Sequence, residues 1–139
     1  MEFKSQFIKI LIDSITNPKS KNLIIIGSHD DELIRRLAKY FKKVYSCYEF
    51  LKIKETKEAN LCIKKEPFSH TLNRLRNFDV IVMLNEMHHL PDIQQLQIYS
   101  LLKKDQELIL MEWTKKGTLE KFYGCFQDCK QLCDLTKQI

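Results

Sequence analysis

Polar residues follow three apolar runs of the sequence, at the points where buried strands are expected to end. Residues 27–30 read Gly-Ser-His-Asp, residues 48–49 read Tyr-Glu, and residues 85–89 read Asn-Glu-Met-His-His. In an open α/β sheet, ligands bind beyond the carboxyl ends of the strands. A glycine there lets the backbone approach a ligand, and the next helix offers free N–H groups. Glu49 follows Gly27 by about 22 residues, close to the interval typical of an acid that binds ribose hydroxyls. The pattern indicates a nucleotide-binding arrangement.

Strands and helices that alternate along the chain must position these residues. Apolar, β-branched runs predict five strands, at 23–26, 44–48, 61–63, 80–84 and 107–113. Amphipathic or capped segments predict helices at 2–16, after Asp30 or Asp31, at 70–76, from Pro91, and after Gly117. This alternation predicts an α/β fold with a mostly parallel sheet and right-handed crossovers.

The 139 residues fit one domain, which we divide into three parts. Residues 1–17 form an N-terminal amphipathic helix, 22–113 the alternating core, and 117–137 a C-terminal helix. With 44% hydrophobic residues, three Gly and three Pro, the composition excludes collagen-like and wholly disordered chains. No apolar run is long enough to span a membrane, and no membrane partner is expected.

The cysteines and histidines allow two interpretations. Five cysteines without paired spacing favour a reducing cytoplasm. The stripe Cys125, Cys129 and Cys133 suits the apolar face of a helix, the alternative being metal or redox chemistry. Cys47 and Cys62 lie within predicted strands and are expected in the core. Adjacent histidines at 88–89 cannot easily bind one ion, so no metal site is predicted.

The positive charge is concentrated in the second quarter of the chain. The net charge is +5, and the segment from Arg35 to Lys65 contains ten Lys or Arg residues but only three Glu residues. Such a cluster is either a solvated lysine-rich face or a surface for nucleic acid. We favour the solvated face and keep a nucleic-acid-binding module as the weaker alternative.

Three segments together resemble class I S-adenosylmethionine-dependent methyltransferases. Residues 23–33, followed by 41–45, look like the first motif of that family. Residues 78–82 and 85–92 resemble its fourth motif, and residues 101–113 resemble its fifth-strand segment. The resemblance implies a Rossmann-like fold with helices on both faces of the sheet.

The same resemblance implies S-adenosylmethionine as cofactor and a set of residues around it. The implied cofactor-binding residues are Gly27, Ser28, His29, Asp30, Tyr48, Glu49, Glu66, Phe68, Asn85 and His88. Phe68 belongs to the stretch that lies beside the adenine in the family. The catalytic residue stays unknown, because Glu86, His88 and Asp92 are equal candidates for a base.

Several positions depart from the family pattern. Ile25 stands where the first motif carries an acid, and His29 and Asp31 replace two glycines. Tyr48 stands at the position of the ribose-binding acid, and Glu49 is one residue late, which on a strand turns a side chain to the other face. Two functions therefore compete: a methyltransferase of unknown acceptor, and a noncatalytic domain that serves as a binding or assembly partner.

The end of the chain predicts a smaller sheet than the family has. The family's strand order is 3-2-1-4-5-7-6, but residues 115–139 carry no hairpin signal. We therefore expect about five strands, with the last two family strands missing and 107–113 as an exposed apolar edge. Because proteins cover such edges, we expect a second copy, forming a homodimer, or a larger partner there.

Overall fold

The structure, a computed structural model, describes residues 3–28, 30–84, 91–113 and 119–124, and these form one sheet flanked by helices. The helices are α1 (Phe3–Ser14), α2 (Asp31–Ala38), α3 (Phe68–Arg74) and α4 (Asp92–Leu101). The strands are β1 (Asn22–Ile26), β2 (Lys43–Tyr48), β3 (Thr56–Glu58), β4 (Leu61–Lys65), β5 (Val80–Leu84), β6 (Glu107–Trp113) and β7 (Leu119–Gly124).

The sheet confirms the predicted fold class. Its strand order is β3-β4-β2-β1-β5-β6-β7. The five central strands, β4-β2-β1-β5-β6, are all parallel and correspond to the expected order 3-2-1-4-5. An antiparallel strand is added at each end, β3 against β4 and β7 against β6.

Both faces of the sheet are buried, because the strand residues alternate between two apolar clusters. Leu23 and Ile25 of β1 pack with α1 and α2, whereas Ile24 and Ile26 pack on the opposite face. The first cluster includes Phe7 and Leu11 of α1 and Leu33, Ile34 and Leu37 of α2. The second includes Leu75, Phe78 and Ile98. Helices on both faces explain why β1 reads as a continuous apolar run.

The end of the described chain differs from our prediction. Residues 119–124, expected within a helix at 117–137, form β7, which pairs with β6 from Trp113↔Leu119 to Leu108↔Gly124. The apolar edge of β6 is thus covered within the chain, which removes the reason given for a partner at that edge. A strand is favoured over a helix here because it pairs with the row of N–H and C=O groups that β6 would otherwise leave free. Residues 125–139, with Cys125, Cys129 and Cys133, lie outside the described residues.

No helix in the described part of the chain is both long and apolar enough to cross a membrane.

Candidate functional site

A cavity of about 220 Å³ lies at the carboxyl ends of β1, β2, β4 and β5. Its walls come from the ends of these strands and from the first turns of α3 and α4. The lining residues are Ile26, Tyr48, Glu49, Phe50, Glu66, Phe68, Thr71, Met83, Pro91 and Gln94. Four predicted site residues, Tyr48, Glu49, Glu66 and Phe68, therefore meet in one cavity.

The end of β2 places both candidate ribose-binding positions at the cavity. β2 ends at Tyr48, and Glu49 lies in the turn beyond it, so the alternation of a strand no longer applies. Glu49 therefore lines the cavity together with Tyr48, although it comes one residue after the position of the family's acid. The ring of Phe50 meets that of Tyr48 edge to face, with centroids 5.8 Å apart, and Phe50 is 64% exposed.

The loop after β1 is held by its own hydrogen bonds. Gly27 has φ 99°, a conformation that favours glycine, and its N–H donates to the carbonyl of Cys47 at 3.4 Å. Ser28 is buried, and its Oγ accepts from the Asp30 N–H at 3.2 Å. The Asp30 carboxylate accepts from the Leu33 N–H at 3.1 Å and caps α2. None of Gly27, Ser28 and Asp30 lines the cavity; they shape the loop beside it.

The N-terminal helix is tied to the start of α2 through Lys4. Its Nζ lies 2.6 Å from Oε2 of Glu32 and 3.5 Å from Oδ2 of Asp30. The hydrogen bond to Glu32 raises the pKa of Lys4, and the same bond lowers the pKa of Glu32. Asp30 thus serves as helix cap and ion-pair partner at once.

The added carboxylate of the loop does not fill the cavity. Oδ2 of Asp31 accepts from Nε of Arg35 at 2.7 Å, one turn along α2. Ile25, at the position of the family's acid, is fully buried in the cluster against α1 and α2. The Asp31 side chain is therefore directed along α2, and the Ile25 side chain is part of the hydrophobic core.

A buried carboxylate, that of Glu66, forms one wall of the cavity. Glu66 follows β4 directly and is only 2% exposed. Its Oε1 accepts from Nε of Arg74 at 2.8 Å and from the Tyr45 hydroxyl at 3.4 Å, and Oε2 accepts from Oγ1 of Thr71 at 3.4 Å. The bond to Glu66 raises the pKa of Arg74. The Arg74 guanidinium also lies over the Tyr45 ring, 5.2 Å from its centroid.

Comparison with known proteins settles the fold. No protein-family model and no curated protein sequence matches the chain. Solved methyltransferase structures do match it, with TM-scores near 0.6. The chain has the class I methyltransferase fold.

Three of these structures show how far the likeness extends. Coclaurine N-methyltransferase bound to N-methylheliamine and SAH is 15% identical, with a TM-score of 0.60 over 78% of this chain. Precorrin-6y C5,15-methyltransferase from Geobacter metallireducens is 8% identical, with a TM-score of 0.59 over 83%. A SAM-dependent methyltransferase from Anabaena variabilis is 16% identical, with a TM-score of 0.58 over 81%. The chain spans 36%, 66% and 52% of the lengths of these structures, respectively.

Some predicted positions of this methyltransferase fold lie outside the described residues. His29, Asn85 and His88 are among them, as is Glu86, and the side chain of Asp92 is likewise not described. The cofactor roles of all the predicted residues and the choice of a base stay predictions.

Sequence reasoning missed several residues of the cavity. Phe50 directly follows Glu49, so its nearness along the chain was the available signal. Thr71 lies three residues after Phe68 and shares its helix face in α3. Nothing in the sequence indicated Gln94 or Arg74, because only the packing of the fold brings Gln94 to the cavity and Arg74 to Glu66.

Proposed function

We propose that the chain is an S-adenosylmethionine-dependent methyltransferase that holds the nucleoside part of its cofactor in the 220 Å³ cavity. The observation that carries this proposal is the meeting of Glu49, Glu66 and Phe68 at the carboxyl ends of the parallel strands. Ligand sites of open α/β sheets lie at this edge. Typical ligand pockets measure about 300–1,000 Å³, so this cavity suits part of a ligand rather than the whole.

The polar and apolar groups that line the cavity fit a nucleoside. Glu49 and Glu66 offer carboxylate oxygens, which accept hydrogen bonds from ribose hydroxyls or a ring amine. Ile26, Phe68 and Met83 add apolar walls against which a purine can pack. In the proposal, Glu49 binds the ribose, and Glu66 and Phe68 lie beside the adenine.

The remaining predicted residues complete the proposed site from the loops. The family resemblance also assigns Gly27, Ser28, His29, Asp30, Asn85 and His88 to the cofactor, and these roles are part of the proposal. Bound S-adenosylmethionine supplies an electrophilic methyl group. Transfer of that group is an in-line displacement, which the protein promotes mainly by positioning and, for weak nucleophiles, through a base.

A second candidate is a noncatalytic domain that keeps the fold and binds partners. It is favoured by the buried Ile25 in place of an acid and by the small volume of the cavity. Such a domain either binds the cofactor without turnover or does not bind it.

Association and location belong to the proposal as well. β7 is the edge strand among the described residues, so strand pairing with a second copy or a larger partner would occur there. Monomeric behaviour in sedimentation at micromolar concentration contradicts self-association. A cytoplasmic location rests on the five cysteines, whose spacing shows no pairs.

Calorimetric titration with S-adenosylmethionine and with its demethylated product tests the binding step. We expect binding that weakens about tenfold or more in Glu49→Gln, because a hydrogen bond to a charged group contributes about 1.5–3 kcal/mol. Asp13→Asn, an exposed carboxylate on α1, is the matched control and should bind normally. Absence of both heat and thermal stabilisation at millimolar ligand refutes the proposal, since binding must raise stability.

Transfer is tested separately with methyl-labelled cofactor and the RNA, protein and metabolite fractions of a cell extract. Label in one fraction, lost in Glu49→Gln, supports the methyltransferase. Binding without transfer to any fraction supports the noncatalytic candidate.

A further inference from the structure

A second concave surface lies on the sheet at the β3–β4 edge, separate from the cavity. This surface, which we call the basic groove, encloses about 660 Å³. Its charged lining residues are Lys43, Glu55, Lys57, Lys64 and Arg74, and Tyr45 and Cys62 contribute to its floor. The proposed methyl-transfer chemistry does not use it.

Strand register places the lysines of the groove on one face of the sheet. Tyr45 of β2 lies opposite Cys62 of β4, which lies opposite Lys57 of β3. Lys43 and Lys64 lie two residues from Tyr45 and Cys62 on the same strands, and therefore share that face. Cross-strand neighbours are about 5 Å apart and alternate residues of a strand about 7 Å apart. Lys43, Lys57 and Lys64 therefore lie within a few strand spacings of one another on that face.

Three lysines of this groove carry charges that no ion pair among the described residues neutralises. Lys43, Lys57 and Lys64 are exposed, and none has a carboxylate partner within the described part of the chain. By contrast, Arg35 is paired with Asp31 and Glu58, and Arg36 with Glu32. The basic run seen in the sequence therefore contains both paired arginines on α2 and unpaired lysines in the groove.

The lining chemistry indicates the kind of partner. Protein interfaces are depleted in lysine and use large apolar anchors. The large apolar side chains exposed in the described chain are Tyr40, Phe50 and Ile93, and none of them lines the groove. A flat bilayer does not enter a concave surface, whereas lysines that point into a groove can contact successive phosphates of a strand.

We infer that the basic groove binds the phosphodiester backbone of a single-stranded nucleic acid, through Lys43, Lys57 and Lys64. Binding of this kind is sequence-independent and weakens steeply with salt, because each neutralised phosphate releases counterions. The inference does not depend on the proposed function, since the groove and the cavity have different lining residues.

Fluorescence anisotropy with a labelled oligouridine RNA tests the inference at about 50 and 200 mM salt. For three phosphate contacts, the slope of log K against log salt should be about −2, and Lys57→Gln/Lys64→Gln should make it shallower by about 1.4. That variant should also bind about tenfold or more weakly at the lower salt.

The matched control is Lys9→Gln/Lys39→Gln, which removes the same charge from α1 and the end of α2, on the other face of the sheet. This control should bind RNA nearly as the unchanged protein does. Equal loss in both variants overturns the inference, because net charge alone would then explain binding. Absence of RNA binding at the lower salt also overturns it, as does exclusive binding to polyglutamate or to vesicles of phosphatidylcholine and phosphatidylserine.

Discussion

Nε of Arg74 donates to Oε1 of Glu66 at 2.8 Å, and this ion pair joins a residue of the cavity to a residue of the basic groove. Glu66 lines the cavity and is 2% exposed, whereas Arg74 lines the basic groove and its side chain is 40% exposed. A carboxylate inside one site is therefore balanced by a cation that faces the other. The pair also ties Arg74, the last residue of α3, to the residue that follows β4.

Breaking this pair should destabilise the fold. Arg74→Gln leaves the buried carboxylate of Glu66 without its cation. Loss of one partner of a fully buried pair costs about 3–5 kcal/mol. We expect about 2 kcal/mol here, because Arg74 is partly exposed and water screens the pair. Urea unfolding of Arg74→Gln, Glu66→Gln and the double variant measures the coupling. Additive effects of the two changes would show that the pair contributes nothing.

The turn after β1 should tolerate only glycine. Gly27 has φ 99°, and a side chain there costs about 1–3 kcal/mol. Gly27→Ala should lower the free energy of unfolding by that amount. Ala59, with φ 46°, is a non-glycine residue that also has a positive φ, so Ala59→Gly makes the opposite change. This variant should change stability by less than about 1 kcal/mol. Equal losses in the two variants would contradict the backbone explanation.

Stability should fall at alkaline pH because of buried acidic groups. Burial raises the pKa of Cys47 to about 12 and also raises the pKa of Tyr45. Both groups ionise earlier in the unfolded chain, so stability is intact below pH about 9 and is lost as the pH rises towards 12. Each such group adds a slope of about 1.4 kcal/mol per pH unit.

Unfolding of Cys47→Ala between pH 9 and 11 checks this expectation. The variant should be less stable at neutral pH but should lose stability less steeply with rising pH. Cys62→Ala, which removes a half-buried thiol, is the control. A slope in Cys47→Ala equal to that of the unchanged protein would refute the assignment.

The N-terminal helix should be an integral part of the fold. Leu11 is fully buried in the cluster between α1, α2 and the sheet. Leu11→Ala should cost about 3 kcal/mol, the typical result of removing a buried leucine side chain. Lys9→Ala, on the exposed side of the same helix, should change stability by less than about 0.5 kcal/mol. A small effect of Leu11→Ala in thermal or urea unfolding would show that α1 does not dock.

The local sequence pattern was sufficient to predict the central sheet and part of the site. Apolar runs located β1, β2, β4, β5 and β6, because strands buried on both faces leave a plain hydrophobic signal. The residues that follow those runs were the natural site candidates, and Glu49 and Glu66 do line one cavity. Such inferences succeed because they need only the chain direction and the parallel arrangement of the strands.

The tertiary structure decided what depends on partners distant in sequence. β7 forms because β6 offers it an unpaired edge, and no local signal distinguished that strand from a helix. The roles of Arg74 and of the lysines in the basic groove follow from which side chains packing brings together. Side-chain pairing across strands and helices is a property of the assembled fold, so a linear charge run cannot reveal which of its members are neutralised.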